Sequence, residues 1–174
     1  KRIVAGKDSE WIKVFVDGKY GSIQDGKPVY GASYRDDFHC SKTPLKAIPM
    51  VPLEIGLDFG NTPAAIITQP TPLGQRIFLK ELVCEDVSIQ DFAVLLKQYL
   101  DREYPGHEIK CFGDPSGTFK DQQQKTAFDL MKAKGIIVRA APSNNIKMRT
   151  ECVISDLNRV VNGQPALLID GKGC

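Results

Sequence analysis

A strand that ends in an acid is the feature that most constrains this chain. In Leu53-Glu54-Ile55-Gly56-Leu57-Asp58 apolar residues alternate with polar or small ones, the period of a half-buried strand, and Gly60-Asn61-Thr62-Pro63 breaks the run. Residues 64–69 read as a returning strand, so the two form a hairpin with Asp58 near its turn. An ionised carboxylate in a central strand carries a desolvation cost of several kcal/mol unless it is paired or bound to a metal. A second strand, residues 108–114, also ends in an acid, Asp114, and Pro115 and Gly117 stop it at once. If the two strands are neighbours, their backbones lie about 4.8 Å apart. Carboxylates at matching levels could then share one or two hard cations, an arrangement suited to phosphodiester hydrolysis.

The rest of the chain supplies a frame for these strands. Residues 76–83 read as a third strand, which makes an antiparallel meander with the hairpin. Ser88 can cap the next helix with Asp91 at its third position, and Ile89, Phe92, Ala93, Leu96, Tyr99 and Leu100 form one apolar stripe up to Tyr104-Pro105-Gly106. After residues 108–114 come a helix over about 126–134 stopped by Gly135, a buried strand over 136–140, and a helix begun by Asn144 or Asn145. In that last helix Ile146, Thr150, Val153, Leu157, Val160 and Val161 share a face before Asn162-Gly163-Gln164-Pro165 breaks it, and residues 166–170 read as a final strand. The order predicts a mixed α/β sheet covered by helices, with sites beyond the carboxyl ends of its parallel strands.

Residues 1–50 say less. Residues 10–16 fit a short helix and a strand equally well, and the glycines and prolines that follow read as turns and a connector. His39 and Cys40 follow the acidic pair Asp36-Asp37, but with no second His or Cys nearby a loop packed on the core is favoured over a metal site. The five cysteines are widely spaced and form no Cys-x-x-Cys pair, so they read as inert. With 174 residues and 42% hydrophobic content the chain can bury one sizeable core. No run approaches the roughly 20 apolar residues of a membrane helix, and no signal sequence stands at the start, which favours a cytoplasmic protein with no membrane partner. The net charge is only +2, but residues 120–149 hold seven bases against Asp121 and Asp129, a distribution that could face phosphates.

Taken in order, Gly-Leu-Asp-Phe-Gly-Asn-Thr-Pro-Ala-Ala (56–65), Gly-Asp-Pro-Ser-Gly (113–117), Ala-Pro-Ser-Asn-Asn (141–145) with Arg149 and Val153, and Pro-Ala-Leu-Leu-Ile-Asp (165–170) resemble the C-terminal nuclease domain of phage terminase large subunits. Asp-Gly-Lys-Pro-Val-Tyr (25–30) and Asp-Phe-His (37–39) are similar to the segment joining the terminase ATPase domain to its nuclease. The resemblance implies an RNase H-like fold and an endonuclease that cuts concatemeric double-stranded DNA with two divalent ions, Mg²⁺ or Mn²⁺. Asp58 matches the family's first acid and Asp114 its second.

The family's third acid lies on a helix downstream of the last strand, and Lys1 and Cys174 both read as cuts in a longer protein. Residues 1–50 are then a connector from an upstream ATPase domain, and 51–174 a nuclease core without its C-terminal helix, poor at holding metal and weak or inactive as an endonuclease on its own. Asp170 and Asp156 are possible additional ligands, and Lys120, Lys125, Arg139, Lys147 and Arg149 are candidates for DNA backbone contacts. The resemblance also implies a small terminase subunit and a portal as partners, and the host cytoplasm if the source is viral. A rival reading takes Asp58-x-Gly60-x-Thr62 as the phosphate hairpin of actin, sugar kinases and heat-shock chaperones, but Pro63 removes a backbone donor where a phosphate cradle would use one. A resolvase-type nuclease of the same fold is a second alternative. No Gly-x-x-x-x-Gly-Lys-Ser/Thr loop occurs.

Overall fold

A computed structural model describes residues 29–119 and 125–174. Two compact units are present, Lys1–Tyr34 and Arg35–Cys174. In the described part of the first, the Ser33 and Tyr34 N–H groups donate to the Tyr30 carbonyl. Residues 10–16 and Lys120 lie outside the described residues.

The second unit begins with α1 (Asp36–His39) and β1 (Cys40–Ser41). The meander follows as β2 (Leu53–Asp58), β3 (Ala64–Pro70) and β4 (Arg76–Val83). Helix α2 (Ile89–Glu103) is capped as the sequence predicts, with the Ser88 side chain accepting from the Asp91 N–H. Next are β5 (Ile109–Gly113), a 3-10 turn (Pro115–Thr118), α3 (Ala127–Ala133), β6 (Val138–Ala140) and α4 (Ile146–Asn158). A small hairpin of β7 (Val160–Val161) and β8 (Gln164–Pro165) leads to β9 (Leu167–Asp170).

Seven strands form one sheet in the order β1-β9-β4-β3-β2-β5-β6. The meander is antiparallel, while β2-β5, β5-β6, β4-β9 and β1-β9 are parallel. The expected mixed RNase H-like sheet is therefore present, with the expected final strand, β9, and the additional β1 at the β4 edge. Alternation sends Leu53, Ile55, Leu57, Ala65, Ile67, Ile77, Leu79 and Cys111 to one face, where they pack with Phe92, Ala93, Leu96 and Leu100 of α2 and Met131 of α3. Each fully buried aliphatic or aromatic side chain there contributes about 1.5–3 kcal/mol. Glu54, Gly56 and Asp58 fall on the opposite face, where the Arg76 guanidinium donates to Glu54 at 2.6 Å and to the Thr68 hydroxyl at 3.3 Å.

The structure departs from the sequence expectation at three places. Residues 36–41, with His39 and Cys40 expected in a loop, form α1 and β1, where β1 pairs with β9 and the buried His39 donates from Nε2 to the Leu157 carbonyl at 2.9 Å. With Nδ1 accepting from the Arg35 N–H at 2.9 Å, both ring nitrogens are used, and His39 is the end of a helix rather than part of a loop. The strand expected over 136–140 is the short edge strand β6, with Ile136 buried but Ile137 73% exposed, since only β5 lies beside it.

Helix α4 ends at Asn158, and Val160 and Val161 belong to a hairpin instead of the helical stripe. Asn162 and Gly163 both have positive φ, 51° and 76°, the two-residue turn that Asn-Gly favours and that reverses a strand, so it takes those valines out of the helix. Ile146, at the start of the expected stripe, is 78% exposed.

Glycine is required where β5 ends. A Cβ on Gly113 would stand 2.6 Å from the Phe59 ring and 3.1 Å from both Phe128 and Val138, and one on Gly117 would stand 2.7 Å from Phe128. The two phenyl rings, with centroids 5.7 Å apart, thus close directly over the backbone that carries Asp114. Gly113→Ala should destabilise the protein by about 1–3 kcal/mol through overpacking, read as a lowered urea midpoint, and adding Phe59→Leu should restore part of the loss. An unchanged midpoint in Gly113→Ala would show that the rings do not constrain this strand end.

Candidate metal-binding nuclease site

Asp58 and Asp114 stand at the carboxyl ends of neighbouring parallel strands. The β2–β5 register pairs Leu57 with Gly113, so the next residue on each strand is an acid and the two are level. On one side of β2 lies an antiparallel neighbour and on the other a parallel one, the kind of switch point outside which α/β sheets place their sites. Paired strands lie about 4.8 Å apart, so ionised carboxylates at their neighbouring ends repel one another.

The two acids differ in what holds them. Asp58 is exposed and, among the described residues, its carboxylate has no hydrogen-bond or ion-pair partner. It borders a cavity of about 340 Å³ lined also by Phe59, Gly60, Ser116, Phe119 and Lys125. Asp114 is largely covered, its side chain 24% exposed, and closely held. Its Oδ1 accepts from the Ser116 N–H at 2.8 Å, an Asx turn that opens the 3-10 helix, and from the Asn144 side-chain amide at 3.0 Å. Its Oδ2 faces Arg149 Nη1 at 3.3 Å. The Ser116 hydroxyl and N–H, the Asn144 amide and the Arg149 charge together hold the Asp114 carboxyl down at about 2.

Asn144 and Arg149 come from the start of α4, where the Asn145 side chain caps the helix by accepting from the Met148 N–H. The sequence left open which of the two asparagines begins the helix. The structure divides the tasks, with Asn145 on the helix and Asn144 on Asp114. Ser116, Asn144 and the Phe59–Phe128 pair are the site features that sequence reasoning did not single out as functional, although the strings 113–117 and 141–145 contain two of these residues.

The other sequence candidates are dispersed. Asp170 lies on β9, separated from β2 by β4 and β3, and is buried. Burial pushes its carboxyl up, but the N–H groups of Lys172, Leu45 and Gly173, with the Lys80 charge, outweigh this and hold it below the usual carboxylate range. It fastens the last turn of the chain and is not brought to Asp58. Asp156 sits two turns beyond Arg149 on α4 and accepts from Arg159 at 2.9 Å. Lys125 borders the Asp58 cavity, Arg139 lies exposed on β6, and Lys147, exposed in the first turn of α4, pairs with Glu151 at 3.9 Å. Burial raises the Cys111 thiol to about 11, in keeping with an inert cysteine.

Two carboxylates give an all-oxygen donor set, which fits a hard divalent cation. Among the described residues no group of three or more His, Cys, Asp or Glu converges, so these two acids are what the described chain offers such an ion. No helix among the described residues is long and apolar enough to cross a membrane.

Known proteins agree with this geometry at the level of fold. No protein-family model and no curated protein matches the chain. Among solved structures, the large terminase of a thermophilic bacteriophage matches over 82% of this chain and 34% of its own, at 18% identity and a TM-score of 0.64. The large terminase nuclease of thermophilic phage G20c matches over 82% of this chain and 74% of its own, at 14% identity and a TM-score of 0.56. The large terminase nuclease domain of bacteriophage SPP1, solved with bound Mn, matches over 78% and 71%, at 15% identity and a TM-score of 0.52. This chain thus spans about a third of the full terminase it matches and has the RNase H-like fold of large terminase nuclease domains.

The hydrogen bonds at Asp114 have a measurable consequence. Because its folded-state value is depressed, Asp114 stabilises the fold above the ordinary carboxylate range and loses that contribution as pH falls from about 4 towards 2. A carboxyl NMR titration should place the Asp114 midpoint near 2 in the intact protein and nearer the ordinary value in Asn144→Ala. A midpoint unmoved by Asn144→Ala would mean the amide does not hold the carboxylate in solution.

Proposed function

We propose that the chain is the metal-dependent DNA endonuclease domain of a viral DNA-packaging terminase, cutting concatemeric double-stranded DNA by two-metal phosphodiester hydrolysis. The single observation that supports this most directly is the register of β2 and β5, which sets Asp58 and Asp114 level at the end of the sheet. The fold shared with large terminase nuclease domains is the second support.

In this reading Asp58 offers a divalent ion a carboxylate that has no partner among the described residues, while Asp114 stays ionised at neutral pH and is turned by Ser116 and Asn144 so that it would meet the same ion. When bound, Mg²⁺ or Mn²⁺ supplies Lewis-acid stabilisation of charge on the phosphate and a nucleophilic water at neutral pH. Asp58 and Asp114 would hold such an ion through carboxylate oxygens, with water supplying its remaining ligands. Lys125, Arg139, Lys147 and Arg149, with Lys120 from outside the described residues, contact the DNA backbone and carry no base recognition. An upstream ATPase domain, a small terminase subunit and a portal are the partners this function requires, in the cytoplasm of an infected host.

Metal-ion catalysis stabilises such transition states by several kcal/mol, so Asp58→Asn or Asp114→Asn should slow Mn²⁺-dependent nicking of supercoiled plasmid by roughly a hundredfold or more. Nicking that survives both substitutions would refute the assignment. Binding to duplex DNA should weaken steeply between about 50 and 200 mM salt, and Lys125→Ala or Arg139→Ala should each lower the salt slope by about 1. A slope that neither substitution changes would remove those side chains from the interface.

A further inference from the structure

Arg149 places a cation on one of the two acids. Its guanidinium is the cation that the described structure places on Asp114, at Oδ2, while Oδ1 is already taken by the Ser116 N–H and the Asn144 amide. The contact is a loose one. Its 3.3 Å is long against about 2.7–2.9 Å for charge-assisted N–H···O bonds, only Nη1 takes part, and the arginine side chain is 59% exposed. The backbone beneath it is firm, since the Arg149 N–H donates to the Asn145 carbonyl at 3.0 Å in the first capped turn of α4. A fixed Cα with a long, exposed, singly bonded side chain describes a group that can exchange partners without disturbing the helix.

We propose that Arg149 is the resident counter-ion of Asp114, which leaves Oδ2 when a divalent ion arrives and passes to a phosphate oxygen of the DNA, while Asn144 keeps the carboxylate turned for the exchange. The inference rests on the nuclease reading above and deepens it, giving two neighbours of one carboxylate opposite effects on metal affinity. Two like charges at neighbouring strand ends need a positive charge at all times. Arg149 provides it before the ion does. Once both cations face one oxygen they repel, and the guanidinium, matched in shape to phosphate, takes the nearest anion the ion has brought with it. Arg149 and Asn144 are in this account positioning residues for the metal, and Arg149 becomes a substrate contact afterwards.

The test is Mn²⁺ binding without DNA, by calorimetry and by electron paramagnetic resonance, on the intact protein, Arg149→Ala, Arg149→Gln, Arg149→Lys, Asn144→Ala and Asp58→Asn, each checked for fold by circular dichroism. Removing a competing exposed cation should tighten Mn²⁺ binding in Arg149→Ala and Arg149→Gln about two- to fivefold. Arg149→Lys should stay near the intact protein. Asn144→Ala should bind Mn²⁺ roughly tenfold more weakly, as loss of an outer-shell partner does. With Ca²⁺ in place of Mn²⁺, DNA affinity should fall in Arg149→Ala although metal affinity has not. Intact-protein binding with no gain in either neutral Arg149 variant overturns this inference alone. Absence of Mn²⁺ binding in the intact protein, or binding that Asp58→Asn leaves untouched, overturns the nuclease reading and this inference with it.

Discussion

The parallel pairing of β2 with β5 is the constraint on which the rest of the site depends. Parallel neighbours start and stop at the same end, so two strands of similar length that each finish in an acid must present both at one edge. An antiparallel pairing of the same segments would have sent Asp58 and Asp114 to opposite ends of the sheet. The close approach at Gly113 makes the register costly to shift, because a slip by one residue would bring a side chain to the place where the Phe59 and Phe128 rings leave room only for hydrogen. Packing of the apolar face therefore fixes the charge spacing on the polar one.

The two acids are unequal by design of their surroundings. Asp114 has its orientation set by three elements, the 3-10 turn through Ser116, the approach to α4 through Asn144, and α4 itself through Arg149. Asp58 has its position set by the sheet alone. A site with one oriented and one open carboxylate combines a fixed point with some tolerance, and oxygen-only sites for hard ions use both. The strands that carry both acids are held by the hydrophobic contacts of β2, β5, α2 and α3.

Much of this was legible from the chain, for reasons that are local. The alternation in 53–58, the Ser88 cap and the Gly135 stop are short-range signals, and the structure keeps each of them, with Gly135 at a φ of 83°. Even the pairing of the two acid-ending strands could be posed from sequence, since both strands carry an acid in the same final position. What was not legible depends on contacts distant in the chain. Residues 36–41 look like a connector because β1 has only two residues, and its meaning comes from β9, far away in sequence. The valines at 160 and 161 continue a helical stripe by period, and only the turn chemistry of Asn162-Gly163 competes with it. Asn144 lay inside a recognised string, yet its task could not be assigned before α4 was seen to start at Ile146.

The β1–β9 pairing has a consequence for the order of assembly. During synthesis β2 and β3 have their meander partners by Val83, and β5 can join β2 soon after Gly113, so the strands that carry the two acids can pair while the elements that orient Asp114 are unmade. The β4 edge must wait. Strand β9 pairs with β4 at Arg76–Phe78 and with β1 at Cys40–Ser41, so β4 shows an unpaired edge, and β1 has nowhere to dock, until the last strand is present. Contacts of such long sequence separation form slowly and leave strand edges open to other chains in the meantime. The edge that closes last in sequence order is therefore the one remote from the acids, and it is β4 that offers other chains an open strand until β9 covers it.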